Sequence, residues 1–195
     1  MSSRATQKVA MLMGGLSAER EVSLVSGREC AAALRGEGFE VIELDAGADL
    51  AQRLEDLRPD VAFNALHGRW GEDGAVQGLL EWLKIPYTHS GVLASALGMD
   101  KQRSKKAFVE AGLPVVDSKI VAKSDAASQF LLPAPYVIKP NNEGSSVGIY
   151  FVQDGANVLP DLGDDLPDLV MIERFVPGRE LTTTVLDDQA LAVTD

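Results

Sequence analysis

Cysteine is almost absent. Cys30 is the only one among 195 residues, so the chain has no intramolecular disulfide, no CxxC pair and no thiolate metal cluster, and a reducing cytoplasm is the expected compartment. Basic residues are also short: 18 Lys and Arg against 29 Asp and Glu leave a formal charge of 18 − 29 = −11. Binding to nucleic-acid backbones or anionic membrane surfaces works by displacing counterions with positive charge, so neither partner is expected. Near the N-terminus the apolar run Val9 to Met13 is too short for a signal h-region or a membrane span, and the residues before it are polar. The sequence has no internal repeat and no low-complexity tract. What remains, 46% hydrophobic and 24% charged, is an ordinary globular composition at the length of one or two domains.

The first half alternates in type. Val9 to Met13 reads as a strand buried on both faces and ends in Gly14-Gly15. A helix should follow, capped by Ser17, with Glu19 and Glu21 in its first turn and Val22, Val25, Cys30, Ala33 and Leu34 on its inner arc. Strand Val41 to Leu44, helix Leu50 to Leu57, strand Val61 to Leu66 and helix Val76 to Leu83 continue the series, and Pro86 to Thr88 gives a fourth short strand. Such alternation predicts a parallel sheet with a ligand crevice at the carboxyl ends of its strands. Asp100 then caps a helix through Ala111. Beyond it come short strands at Ser118 to Val121, Tyr136 to Lys139, Ile149 to Val152, Leu169 to Arg174, Leu181 to Leu186 and Ala190 to Val193, which predict an antiparallel α+β module with a turn at Asp187-Asp188.

Five segments carry candidate chemistry. The loop Gly14 to Ser23 puts backbone N–H groups and Glu19 at a helix N-terminus beside the strand ends, where a carboxylate suits a ligand ammonium group; a generic strand-to-helix turn fits the same pattern. Leu66 to Gly74 places His67 at that edge, to bind a carboxylate or carry a proton, among glycines that let the backbone wrap closely; a capped loop histidine is the plainer alternative. His89 reads as structural. Four of the six residues from Lys101 to Lys106 are basic, which suits a polyanion as well as a solvated helix face. Lys139 ends an apolar strand before the loop Pro140 to Gly148, whose donors and hydroxyls suit phosphates although the spacing is not that of a Walker loop. Met171 to Glu180 is either one wall of an adenine slot or an ordinary edge strand.

Gly144-Ser145-Ser146-Val147-Gly148 also fits the G-x-S-x-G elbow of serine hydrolases, with Ser146 as nucleophile. That elbow requires a helix after the serine, whereas Ile149 to Val152 reads as a strand. Both histidines also precede Ser146, against the chain order of that fold.

In this order, Gly14-Gly15-x-Ser17-Ala18-Glu19-Arg20-Glu21-Val22-Ser23, Leu66-His67-Gly68, Gly71-Glu72-Asp73-Gly74, Met99-Asp100-Lys101 and Lys139-Pro140 with Glu143 to Gly148 resemble the D-alanine:D-alanine ligases, ATP-grasp enzymes of peptidoglycan precursor synthesis. The resemblance implies an α/β fold: an N-terminal parallel-sheet (Rossmann-like) substrate domain over 1–97, a central ATP-grasp α+β lobe over 98–173, and the start of the C-terminal ATP-grasp lobe over 174–195. It implies phosphorylation of one D-alanine carboxylate by ATP and attack of a second D-alanine's amine on the acyl phosphate. Glu19 would hold the first D-alanine's ammonium group, His67 would lie near its carboxylate, and Ser145 would orient the Glu19 network. Lys101, Lys139 and Ser146 would serve the ATP phosphates, while Glu173, Arg174, Val176 and Glu180 would line the nucleoside pocket. The family's Mg²⁺ (or Mn²⁺) ligands, a catalytic arginine and a closing loop would lie beyond Asp195, so no metal ligand is assigned and the chain as it stands is expected to be inactive. D-alanine and ATP are the implied ligands and a homodimer the implied assembly. A D-lactate or D-serine ligase is the alternative within the family, and a non-catalytic nucleotide or amino-acid binding fragment the alternative outside it.

Overall fold

The computed structural model describes residues 6–144, 147–164 and 166–195. They form two compact units, one running to Val115 and including Pro140–Ile149, the other made of Val116–Lys139 and Tyr150–Asp195. The boundaries implied by the family lobes, at 97/98 and 173/174, divide the chain elsewhere, inside α4 and β7 as defined below.

The first unit contains β1 (Lys8–Met13), α1 (Arg20–Gly36), β2 (Glu40–Asp45), α2 (Leu50–Leu57), β3 (Val61–Asn64), α3 (Ala75–Leu83), α4 (Val92–Met99) and α5 (Lys101–Glu110). Its sheet has the order β2-β1-β3, all parallel. The central strand explains its own composition. Side chains alternate across a strand, so Val9, Met11 and Met13 join Ala31 of α1 in one core, while Ala10 and Leu12 join Leu50, Leu54, Val76 and Leu80 in the other. A strand covered on both sides has no position left for a polar residue.

Four local readings are corrected by packing. The inner face of α1 is Ser23, Gly27 and Ala31, with Leu24, Cys30 and Leu34 partly buried; Val22, Val25 and Ala33 are exposed. A Cβ at Gly27 would lie 2.5 Å from Met13 Cβ, so the helix approaches the sheet along a stripe of small residues rather than along its valines. Ser17 does not cap the helix, because Glu19 occupies the N-cap position. Its hydroxyl instead accepts the Glu19 N–H at 3.2 Å and donates to the His67 carbonyl at 2.8 Å. The third strand stops at Asn64, whose side chain accepts the Leu66 N–H at 3.2 Å and donates to the Gly71 carbonyl at 2.8 Å, replacing the ladder by a side-chain turn. The expected fourth strand is a single parallel bridge between Ala62 and Tyr87, because His89, in left-handed conformation (φ 75°), turns the chain away. Helix α4 has no sequence signal at all: Val92–Met99 is apolar nearly all round, so no periodicity marks it.

The second unit contains β4 (Ser118–Ala122), α6 (Lys123–Ser128), β5 (Tyr136–Pro140), β6 (Tyr150–Val152), β7 (Leu169–Arg174), β8 (Thr182–Leu186) and β9 (Gln189–Thr194). Four strands form a sheet of order β4-β7-β5-β6, with β4/β7 and β5/β6 antiparallel as expected. Tyr136, Ile138, Val152, Val170 and Ile172 build its core with Ala126, Leu162 and Leu166. Strands β8 and β9 pair separately as a hairpin around Asp187 (φ 51°), and every residue of both strands is exposed. Among the described residues no helix is long and apolar enough to cross a membrane.

Candidate functional site

The loop between β1 and α1 is held by charge. Gly14 and Gly15 take left-handed φ of 71° and 83°, and a Cβ on Gly14 would collide with the Asp45 carboxylate. That carboxylate receives both terminal nitrogens of Arg20, at 2.6 and 2.5 Å, and the Gly15 N–H at 3.3 Å; Arg20 also donates to the Gly15 carbonyl at 3.1 Å. A two-pronged guanidinium–carboxylate pair fixes orientation as well as distance. The hydrogen bond from Arg20 holds the Asp45 carboxyl below its ordinary value, and the same bond raises the guanidinium.

Beyond this turn Glu19 is 7% exposed. Val22, three residues on and expected on the inner arc of α1, is exposed at 54%, so the burial of Glu19 has a cause other than that arc. Glycines make the room. A Cβ on Gly68 would sit inside the Glu19 carboxylate, and one on Gly144 would lie 3.4 Å from its Oε2. The carboxylate therefore rests against bare backbone from the loop after β3 and from the segment after β5.

Around it stand groups from the same unit. Glu72 accepts the Gly68 N–H at 2.7 Å, and its Oε2 lies 3.9 Å from where a Gly144 Cβ would be. His67 meets Ser26 of α1, Nε2 to Oγ, at 3.1 Å, and Ser23 donates to the Ala65 carbonyl at 2.7 Å. Ser26 and Glu72 were missed by sequence reasoning. Glu72 lay inside the Gly71 to Gly74 run, and its excess of acid beside glycines was the available signal, whereas nothing local marks Ser26.

Helix α5 is joined to the segment after β5. Asp100 caps it as expected, accepting the Arg103 N–H at 2.9 Å, and also accepts from Asn141 at 2.9 Å. Burial pushes the Asp100 carboxyl up, but the Arg103 N–H and the Asn141 and Asn142 side chains outweigh it and leave the carboxyl below its ordinary value. The Lys101 N–H donates to the Asn141 carbonyl at 3.1 Å, and the Lys101 ammonium donates to the Glu143 carbonyl. Lys101, Ser104 and Lys105 are half-buried, whereas Gln102, Arg103 and Lys106 are exposed. Glu19, His67 and Lys101 are all carried by the first unit; Ser145 and Ser146 lie outside the described residues.

The second unit carries the other candidates. Lys139, near the end of β5, donates to the Glu173 carboxylate on the neighbouring strand β7. The side chains are 18% and 12% exposed, which makes this pair much more sheltered than Arg20–Asp45. Arg174, Val176 and Glu180 follow as exposed residues, and Phe175 packs edge-on against Phe151 with ring centroids 6.0 Å apart. After Gly148 the chain enters β6, a strand where a hydrolase elbow would need a helix. Among the described residues no three His, Cys, Asp or Glu side chains are grouped to hold a metal ion.

A parallel α/β unit with a buried carboxylate at its strand ends, followed by an antiparallel module with a sheltered lysine, defines an ATP-grasp ligase architecture. The sequence pattern described as "D-ala D-ala ligase N-terminus" matches residues 45–90, and that described as "D-ala D-ala ligase C-terminus" matches 107–195. The chain belongs to the D-alanine–D-alanine ligase family. It is 69% identical to the D-alanine–D-alanine ligase of Dinoroseobacter shibae over the whole chain and 63% of that protein. Among solved structures it is similar to the ligase of Bacillus anthracis, with 34% identity and a TM-score of 0.77 over 96% of this chain and 64% of that one. It is also similar to the same bacterium's ligase complexed with ATP, with 32% identity and a TM-score of 0.76 over 96% of this chain and 65% of that one. The chain therefore spans a little under two thirds of the relatives it matches.

Proposed function

We propose that the protein carrying this chain joins two D-alanines at the expense of ATP, through a D-alanyl phosphate, in the cytoplasm and for peptidoglycan precursors. The observation that carries this reading is the buried Glu19 carboxylate seated on the backbone of Gly68 and near that of Gly144. A buried carboxylate walled by glycines suits a small ammonium group better than a large one. Glu19 would take the ammonium group of the first D-alanine, His67 would stand near its carboxylate, and Ser145 would orient Glu19. In sequence and fold the chain is similar to enzymes named for this reaction, one of them complexed with ATP.

ATP fits the chemistry of the donors: Lys101 and Lys139 are point charges for phosphate, and Ser146 would add a hydroxyl. Glu173, Arg174, Val176 and Glu180 would line the nucleoside pocket. When bound, ATP supplies the phosphoryl group that turns a poor acyl donor into a good one. The chain's own residues then orient the first D-alanine and hold its ammonium group while its carboxylate reacts. Mg²⁺ is the expected companion of ATP, but the described residues offer no donor set for it and no step is assigned through it. The lobes 1–97, 98–173 and 174–195 and a homodimer complete the reading.

ADP release by the full protein should require D-alanine, and Glu19→Gln should raise the KM for the first D-alanine at least ten-fold while leaving the KM for ATP within about two-fold, because one charged contact is worth about 1.5–3 kcal/mol. ATP turnover indifferent to D-alanine would sink the assignment.

A further inference from the structure

The loops after β1, β2 and β3 enclose a cavity of about 340 Å³ at the carboxyl ends of the strands, and Glu19 is not part of its wall. The volume lies within the range of about 300–1,000 Å³ typical of small-molecule sites. Leu50, Leu66 and Leu79 make the wall apolar, and among the described residues Arg69 is its only permanently charged side chain.

Two further observations fall on the rim. Trp70 has φ 73°, a conformation bulky residues rarely adopt, and is held there by its N–H on the Asp73 carboxylate at 3.0 Å and by its carbonyl on the Val76 N–H at 3.1 Å. Trp70 is nevertheless 49% exposed, so core packing does not account for the strained backbone. The Arg69 guanidinium lies over that ring, 4.7 Å from the centroid, and forms no ion pair among the described residues.

We propose that this cavity is a binding site for a small aromatic monocarboxylate, with its ring in the apolar crevice against Trp70 and its carboxylate on Arg69. An apolar wall selects the ring, the indole face offers offset stacking, and a lone cation at the mouth selects an anion over a cation. The loops that carry Ser17 and His67 form part of the same wall.

The test uses the two tryptophans, Trp70 and Trp82. Trp82 is 85% exposed, so Trp82→Phe leaves the fold intact and Trp70 as the only indole of these 195 residues. In that background, 3-phenylpropionate should change the emission of Trp70 saturably, and 3-phenylpropylamine should bind at least ten-fold more weakly. Arg69→Ala should weaken 3-phenylpropionate at least five-fold. Ala51→Phe and Ala75→Phe, which fill the cavity from exposed positions on α2 and α3, should abolish the response without lowering the melting temperature. No saturation, equal binding of acid and amine, or full binding in both filled variants would overturn the proposal.

Discussion

Strand β1 and the hairpin β8–β9 are both rich in apolar residues, yet they stand at opposite ends of the burial scale. β1 is buried on both faces between α1 and the α2/α3 side, whereas no residue of β8 or β9 is buried. Their strand character therefore has different origins. For β1 the surrounding core enforces it, while in the hairpin it is marked by β-branched residues and the turn at Asp187-Asp188. The same contrast separates the two candidate binding regions. Glu19 lies against backbone from two separate parts of the first unit, at Gly68 and Gly144, while Lys139 meets Glu173 on an adjacent strand.

Core truncation should expose the contrast most strongly. Leu54→Ala, at a fully buried position of the first unit, should cost about 2–5 kcal/mol, whereas Leu186→Ala in the hairpin should stay within about 0.5 kcal/mol. Equal costs in chemical denaturation would break the comparison. Gly14→Ala should come next, at about 2–3 kcal/mol, since a left-handed alanine costs about 1–2 kcal/mol and its Cβ must also displace Asp45. The same variant should raise the D-alanine requirement in an ADP-release assay, because the turn carries Ser17 and Glu19.

A double-mutant cycle on Lys139→Ala and Glu173→Ala should give a coupling of about 1–2 kcal/mol, above exposed pairs and below fully buried ones. In the full protein Lys139→Ala should raise the KM for ATP and leave that for the first D-alanine nearly unchanged. Equal changes in both would erase the division of labour between the units.

The smallest effect concerns acid. The Asp45 carboxyl is depressed in the folded state, so its contribution is present above the unfolded value of about 3.9 and fades as pH falls through the lower folded value. Asp45→Asn should flatten the acid limb of the stability curve below about pH 4, followed by thermal melts at stepped pH. An unchanged limb would show that the exposed Arg20–Asp45 pair orders the turn without stabilising the fold.

Much of this organisation was legible. The alternation from β1 to α3, the Asp100 cap, Lys139 close to the end of its strand and the turn at Asp187-Asp188 all follow from local chemistry. The inner face of α1 was not legible, because hydrophobicity favoured Val22 and Val25 while close approach favoured Ser23, Gly27 and Ala31. Glu19 stood out as a first-turn carboxylate, but its burial comes from Gly68 and Gly144, which are remote in sequence. Ser26 and the Arg20–Asp45 pair escaped notice because their partners are distant in sequence.

By itself the sequence determined the element types, the acidic and nearly cysteine-free character of the chain, and the ordered motifs shared with the D-alanine–D-alanine ligases. These are consequences of propensity, composition and spacing, which act within a few residues. Tertiary structure alone decided which face of α1 meets the sheet, that Glu19 lies over Gly68 and near Gly144, that Lys101 turns to Glu143, and that Trp70 borders an apolar cavity. Each of these depends on how closely two remote stretches of backbone approach, and that distance is set by packing.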